Sequence, residues 1–422
     1  MALAVLVVVP VAAFAVPSLL GHIPINGDNP VQAYPLRALA GAIIQQGHLP
    51  LWDPYLWSGS PLLAGFNAGA LFPATGLFAI MSPPAAWVVT EILVYVVAAL
   101  GFYALCRALG RSVGASFLAS ISFSFAGFMT SQLGHIDLVE GVALAPWMLL
   151  GLHQLSRTGG RTGRWVLLFG ASFALTILAG DPEAVLDMAA LAGVYTLTLI
   201  ARHPGRRLRI LGLAVLGMAG ALAVGAVQWL PGLALTAHSQ RATVSYAFFG
   251  AGSLPRHLLV LFIAPFLLGG YGSLGHPAYF GPYNLSELNA GIGILPVMAF
   301  FALLVGPRRR AWWRRRALRL RVRWRRGEGH GLLGWWRARS RRHRILRAFR
   351  RGRSRGDGDR GDPAQARGTW AWYVVIAVGV VLALGSNTTA GHLLFHIPYY
   401  GHQRTQSRNL LDADVGLAVL LA

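Results

Sequence analysis

Apolar residues in this chain come in long runs, separated by short stretches rich in Pro, Gly and charge. A helix needs about 20 apolar residues to cross a bilayer. Runs of that order predict spans at roughly 2–20, 85–106, 113–132, 138–155, 165–180, 183–200, 208–230, 288–305 and 370–385. A tenth run starts near Val415 and continues to Ala422. The apolar stretch 258–268 is too short to cross unaided and reads as a re-entrant or interfacial piece. Ala13-Phe14-Ala15 has the look of a signal-peptide cleavage site, but no basic residue precedes the first apolar run, so we read it as a retained span.

The stretch between the first two spans has a different pattern. Asp28-Asn29-Pro30 precedes a helix expected over 30–46 and closed by Gly47. Ala33, Leu36, Ala40, Ile43 and Ile44 share one face of it, which predicts an amphipathic helix lying on the membrane surface. The run from Leu49 to Pro61 mixes Trp, Tyr, Pro and Gly, the composition of irregular backbone at headgroup level.

Composition sharpens this picture. Of 422 residues, 55% are hydrophobic and 12% charged, against about 25% charged in a soluble domain. A water-soluble multidomain enzyme is excluded. The formal charge is nevertheless +22. All 37 basic residues are Arg, and 23 of them fall between Arg308 and Arg367 with four acids, a balance of +19; the other 14 Arg face 11 acids, leaving +3. The single cysteine, Cys106, excludes an internal disulfide and any CxxC site.

Basic residues in short loops mark the cytoplasmic side. Arg107 and Arg111, then Arg157, Arg161 and Arg164, then Arg202, Arg206, Arg207 and Arg209, then the large cluster, occupy every second loop. This places the N-terminus inside. Asp28, Asp53, Asp137, Glu140, Asp181, Glu183, Glu287, Asp412 and Asp414 then fall outside, and Glu91 and Asp187 just within the outer ends of their helices. Such sorting suggests an outward-facing site, with topology alone as the plain alternative.

Candidate residues follow from these loops. Asp28 reads as a helix N-cap or as a carboxylate at the membrane surface, a general base or metal ligand. His135 with Asp137 can ligate a metal, although their spacing matches no metal signature and Asp137 also suits a helix cap. Asp181 is a natural N-cap, with Pro182 in the first turn and Glu183 favoured by the helix dipole. Glu183 and Asp187, four residues apart, share a face. Arg241 and Arg256 lie in the fourth outer loop; Arg404 and Arg408 in the fifth can grip a phosphate or bond lipid headgroups. The tryptophans among the insert's arginines, Trp312, Trp313, Trp324, Trp335 and Trp336, suit an interfacial or disordered lipid-attracted segment, and no nucleic-acid binding is expected.

The run Gly27-Asp28, Gln32, Tyr34-Pro35, Gly47, Leu49-Pro50-Leu51-Trp52-Asp53-Pro54, Gly59, Pro61-Leu62, Ala64 and Phe72-Pro73 resembles the opening of the bacterial YfhO membrane-protein family. Gly101, Tyr103, Phe125-Ala126-Gly127, His135, Pro146, Gly180, Pro182, Arg404 and Arg408 extend the match in order. That family is related in architecture to GT-C glycosyltransferases, polytopic enzymes that take a sugar from a polyprenyl-phosphate carrier on the outer face of the membrane. The resemblance implies an all-α polytopic integral membrane protein, a GT-C-like helical bundle whose extracytoplasmic first loop carries the amphipathic interfacial helix. The apolar runs and the charge divide the chain into a membrane domain over 1–306 with outer loops 21–84 and 231–287, an Arg-rich cytoplasmic insert over 307–369 expected to be disordered and longer than the family's pattern, and last spans over 370–422. Family members usually continue with further spans, so the sequence is expected to be a fragment or a truncated product.

The resemblance also implies a catalytic carboxylate at Asp28 and donor-phosphate binding by Arg404 and Arg408. Arg241, Arg256, Asp53, Asp181 and Glu183 are further candidates for substrate contact, and His135 and Asp137 for a divalent metal, Mg or Mn, if one is used. The implied partners are a polyprenyl-phosphate sugar donor, membrane lipids and a cell-envelope glycan or protein acceptor, at the bacterial plasma membrane. Two other readings stay open: a transporter or flippase of lipid-linked precursors, and a non-catalytic membrane assembly partner.

Overall fold

Pro punctuates the helices of this chain at their first turns, and Gly lets them approach closely where they cross. The computed structural model of the protein describes residues 1–157, 162–270, 277–289, 291–304 and 363–422. Its helices are α1 (Ala2–Leu19), α2 (Ala33–Gln45), α3 (Leu77–Ile80), α4 (Pro83–Ala108), α5 (Val113–Ser124), α6 (Gly127–Ser131), α7 (Ile136–Ala143), α8 (Ala145–Leu155), α9 (Thr162–Ala179) and α10 (Pro182–Arg202). They continue with α11 (Arg207–Ala237), α12 (Tyr246–Gly250), α13 (Leu285–Leu288), α14 (Ile294–Leu304), α15 (Pro363–Leu384), α16 (Ala390–Phe395) and α17 (Leu410–Leu421). Two short antiparallel strands, β1 (Trp52–Asp53) and β2 (Ser60–Pro61), form a hairpin with Trp52 opposite Pro61. Among the described residues eight helical segments are long and apolar enough to cross a membrane: 2–19, 83–108, 113–134, 136–155, 162–179, 182–202, 204–237 and 368–387. That is the architecture of an all-α, multi-pass membrane protein. The Arg-rich insert up to residue 362, with its tryptophans, and Arg161 lie outside the described residues.

Close crossings depend on absent side chains, as bilayer packing favours. A Cβ on Gly170 of α9 would stand 2.8 Å from the carbonyl of Gly217 in α11. Pro146 enters the first turn of α8, where its missing N–H costs nothing, and divides the fourth span at Leu144.

Two elements depart from the sequence expectation, and two gain detail. The run 288–305 becomes helical only at Ile294, and α14 is described as far as Leu304, because Asn289 and Gly291 serve the preceding loop. The stretch 258–268 packs on one side only, leaving Val260, Ile263, Phe266 and Leu267 exposed. It opens as a 3₁₀ turn, Arg256–Phe262, whose Leu258 and Leu261 join Leu254, Leu288, Ala383 and Leu410 in an apolar core. The last helix begins at Leu410, directly after a 3₁₀ turn, so Asp412 and Asp414 are buried helical residues rather than loop acids. Finally, α2 starts at Ala33 and spends its apolar face on its own loop: Ala40 packs with Leu62, Leu63, Ala68 and Ala70, flanked by Leu36 and Ile43. That face is partly covered by protein, with Leu36, Ile43 and Ile44 only half-buried. Trp52, Tyr55 and Trp57 remain exposed around the β1–β2 hairpin.

Candidate functional site

The first loop meets the segment before α7 through two glycines. Gly27 has φ +59°, and a Cβ there would stand 2.6 Å from Gly134 Cα. This contact lets Asp28 N donate to Gly134 O at 3.1 Å. The next residue, Asn29, is buried and bridges: Nδ2 donates to Leu133 O at 2.6 Å, and Oδ1 accepts from Ile136 N at 3.1 Å. Asn29 therefore caps α7 from a distant part of the chain, supplying an acceptor to a helix terminus that needs one. Asp28 caps nothing. Its side chain is 65% exposed, with Oδ2 3.4 Å from His135 Nε2.

His135 is oriented from behind. Gln132 Nε2 donates to Ser286 O and to Glu287 Oε2, each at 2.9 Å. With its nitrogen committed, Gln132 presents Oε1 to His135 Nδ1 at 3.0 Å, and Nε2 on the other side of the ring faces Asp28.

The chain of contacts runs on to Arg408. Its Nε and NH2 donate to Glu287 at 3.0 and 2.8 Å, its NH1 donates to Glu183 Oε2 at 2.7 Å, and Asp181 Oδ2 lies 3.6 Å away. Burial works against the Arg408 charge, but Glu183, Glu287 and Asp181 outweigh it and hold the pKa well above the usual guanidinium value. Burial likewise opposes ionisation of Glu287, yet hydrogen bonding and charge from Arg408 lower its pKa below the ordinary 4.5. A second ion pair lies nearby: Arg37 of α2 grips Glu140 of α7 with two bonds, 2.7 and 2.6 Å, both side chains 0% exposed.

No protein-family model, curated protein or solved structure matches the chain.

These contacts bring residues from five connecting segments to one end of the bundle, and they redistribute the expected roles. Arg404 and Arg408 do not form one clamp. Arg408 is 8% exposed and saturated by carboxylates, because a buried guanidinium needs compensation. Arg404 is exposed, and its side chain has no hydrogen-bond or ion-pair partner among the described residues; its backbone N donates to Glu183 Oε1 at 3.4 Å. His135 and Asp137 are not joined as a metal pair. Asp137 is buried in the first turn of α7, where its carboxylate faces inward, and His135 turns outward to Asp28. Asp181 caps α10, accepting from Ala184 N at 2.8 Å, and Glu183 and Asp187 do share a face, both turned toward 403–408.

The remaining candidates make local contacts and do not join the cluster around Arg408. Asp53 is buried and accepts from Tyr55 N at 2.8 Å, fixing the hairpin turn. Arg256 donates through Nε and NH2 to Asn387 O at 2.9 and 2.6 Å. Arg241 is exposed, its guanidinium 4.7 Å from the centroid of the Phe248 ring. Sequence reasoning missed Asn29, Arg37 and Gln132 as members of the site. Arg37 alone carried a signal, a charge four residues after Ala33 on the apolar face of a helix that otherwise excludes charge there.

Proposed function

We propose that the protein is a GT-C-type membrane glycosyltransferase of the bacterial plasma membrane, N-terminus in the cytoplasm, with the Asp28 end of the bundle facing outward. The observation that carries this reading is the exposed Asp28–His135 pair, made by two separate loops and braced by buried groups behind it. Asp28 accepts the proton of the acceptor hydroxyl as that oxygen attacks the anomeric carbon. The bond from the sugar to the carrier phosphate breaks, and the polyprenyl phosphate leaves with the electron pair. His135 orients the carboxylate, and Arg404, exposed and uncommitted, meets the phosphate. Arg408 is a positioning residue in this scheme. Asp28 and His135 give a metal only two donors, and no three His, Cys, Asp or Glu side chains come together as a ligand set among the described residues. No step depends on Mg or Mn.

The donor is a polyprenyl-phosphate sugar, the acceptor a cell-envelope glycan or protein, and membrane lipids surround both. Comparing envelope glycans with and without the gene tests the reading. We expect one glycan to be lost on deletion and restored by the wild-type gene but not by Asp28→Asn. Unchanged glycans after deletion would refute it. A transporter or flippase of lipid-linked precursors is the second reading, favoured by the buried acids Asp187 and Asp412 inside the bundle. Movement of the lipid-linked precursor across reconstituted vesicles without sugar transfer would select it.

A further inference from the structure

At its other end the bundle carries basic side chains and, among the described residues, no acid. The span 136–155 begins beside His135 and ends beside Arg157, which sets the two ends about 30 Å apart. Arg202 closes α10, a 3₁₀ turn over Pro204–Arg206 follows, and Arg207 and Arg209 lie in the first turn of α11. No Asp or Glu occurs in 141–180 or in 188–286. Asp187 precedes Arg202 by 15 residues of α10, about 22 Å.

Hydrogen bonds gather these arginines at the end of α8. Arg206 NH1 donates to Ser156 O at 3.0 Å. Arg209 NH1 donates to Leu155 O at 3.3 Å and to Arg157 O at 3.1 Å, and its NH2 donates to Thr162 Oγ1 at 3.2 Å. Two guanidinium groups thus converge on three successive carbonyls, with Arg157 alongside. Neutral oxygens satisfy donors without cancelling charge. The exposed side chains of Arg157 and Arg207 have no hydrogen-bond or ion-pair partner among the described residues, and Arg202 NH1 is buried without one. The first turn of α11 holds no acid and no side-chain cap, so its arginines stand where the helix dipole disfavours cations. His203, between Arg202 and Arg206, has a pKa below the ordinary 6.5, lowered by burial first and then by those two charges. An anion here would relieve repulsion that nothing in the chain relieves.

The helix beneath shows what carries the anion. Arg207 heads a stripe of exposed apolar side chains on one face of α11: Leu208, Leu211, Val215 and Leu222. A free anion would leave that stripe unused, whereas a phospholipid covers it with an acyl chain.

We propose that Arg157, Arg202 and Arg207, on the frame held by Arg206 and Arg209, bind the phosphate of one anionic phospholipid whose acyl chain lies along Leu208, Leu211 and Val215. Guanidinium groups pair with phosphate oxygens through parallel hydrogen bonds, and basic pockets between membrane helices hold anionic headgroups. Five arginines without an acid select a headgroup of net negative charge over a zwitterionic one. The bound lipid ties the end of α8 to the turn between α10 and α11. The site is independent of sugar transfer and lies a span away from Asp28.

Native mass spectrometry of the full chain released from nanodiscs of mixed phosphatidylglycerol and phosphatidylcholine tests it, alongside thermal unfolding in nanodiscs of each composition. One phosphatidylglycerol should stay bound per chain while phosphatidylcholine is lost, and phosphatidylglycerol should raise the unfolding midpoint by about 3 °C or more. The double variant Arg157→Gln with Arg207→Gln removes side chains that bond nothing in the chain. Its midpoint in pure phosphatidylcholine should equal wild type, while its affinity for phosphatidylglycerol should fall about 30-fold. Equal retention of the two lipids overturns the proposal. So does phosphatidylglycerol binding that survives the double substitution, which would assign it to the Arg-rich insert. A midpoint rise produced in phosphatidylcholine nanodiscs by inorganic phosphate alone would make the ligand a free anion and overturn it as well.

Discussion

Two pairs of ionisable groups tie the first loop to the segment 135–140, and they are built in opposite ways. Arg37 and Glu140 are sealed, doubly bonded and 0% exposed. Asp28 and His135 join the same two parts of the chain at 3.4 Å, with 65% and 22% of their side chains exposed. A sealed pair holds structure, because separating it leaves a charge that neither water nor protein can compensate. An open pair contributes little to stability, so we propose that its bracing through Gln132, Glu287 and Arg408 serves the chemistry of Asp28. The comparison separates what keeps the loop in place from what the loop presents.

Breaking the sealed pair should have the largest effect. Arg37→Ala is expected to destabilise the protein by about 3–5 kcal/mol, measured by unfolding in nanodiscs. The joint replacement Arg37→Met with Glu140→Leu should recover most of that loss. If Arg37→Ala is as well tolerated as a change at Asp28, burial does not distinguish the two pairs. Gly27→Ala comes next, at about 1–3 kcal/mol, since it strains a φ of +59° and pushes against Gly134. Gln132→Leu should cost about 1–2 kcal/mol by leaving His135 Nδ1 and Glu287 short of partners; it sharpens the comparison if it also lowers activity, because it touches no substrate.

A pH effect follows from Glu287. Its folded pKa lies below the ordinary 4.5, so its contribution is complete above that value and is lost as pH falls through the lowered one. Stability should drop in acid across that window, and Glu287→Gln should remove this part of the drop. The smallest change in stability belongs to Asp28→Asn, within about 0.5 kcal/mol.

The spans were legible because a run of about 20 apolar residues has few alternatives in a bilayer. The loop-side site was legible only in part. Asp28, His135, Asp181, Glu183 and Arg408 announce themselves as charges in short polar segments, and they do gather at one end of the bundle. Their pairing was not legible. Whether Arg408 faces a ligand or Glu287 depends on contacts across 121 positions of sequence, and no local pattern encodes those. Asn29 and Gln132 were hidden for a related reason: an amide in a loop looks solvated until the fold buries it. The partner of the α2 stripe was not legible either, since an apolar stripe reads the same whether it meets lipid or Leu62 and Leu63.

The claim that the open pair is chemical is tested most directly by sugar transfer. Purified protein in nanodiscs, supplied with a polyprenyl-phosphate sugar and a cell-envelope acceptor, should form product, and Asp28→Asn should reduce kcat by about 10²–10⁴-fold with an unfolding midpoint equal to wild type. Transfer at the wild-type rate by a folded Asp28→Asn protein would contradict the account.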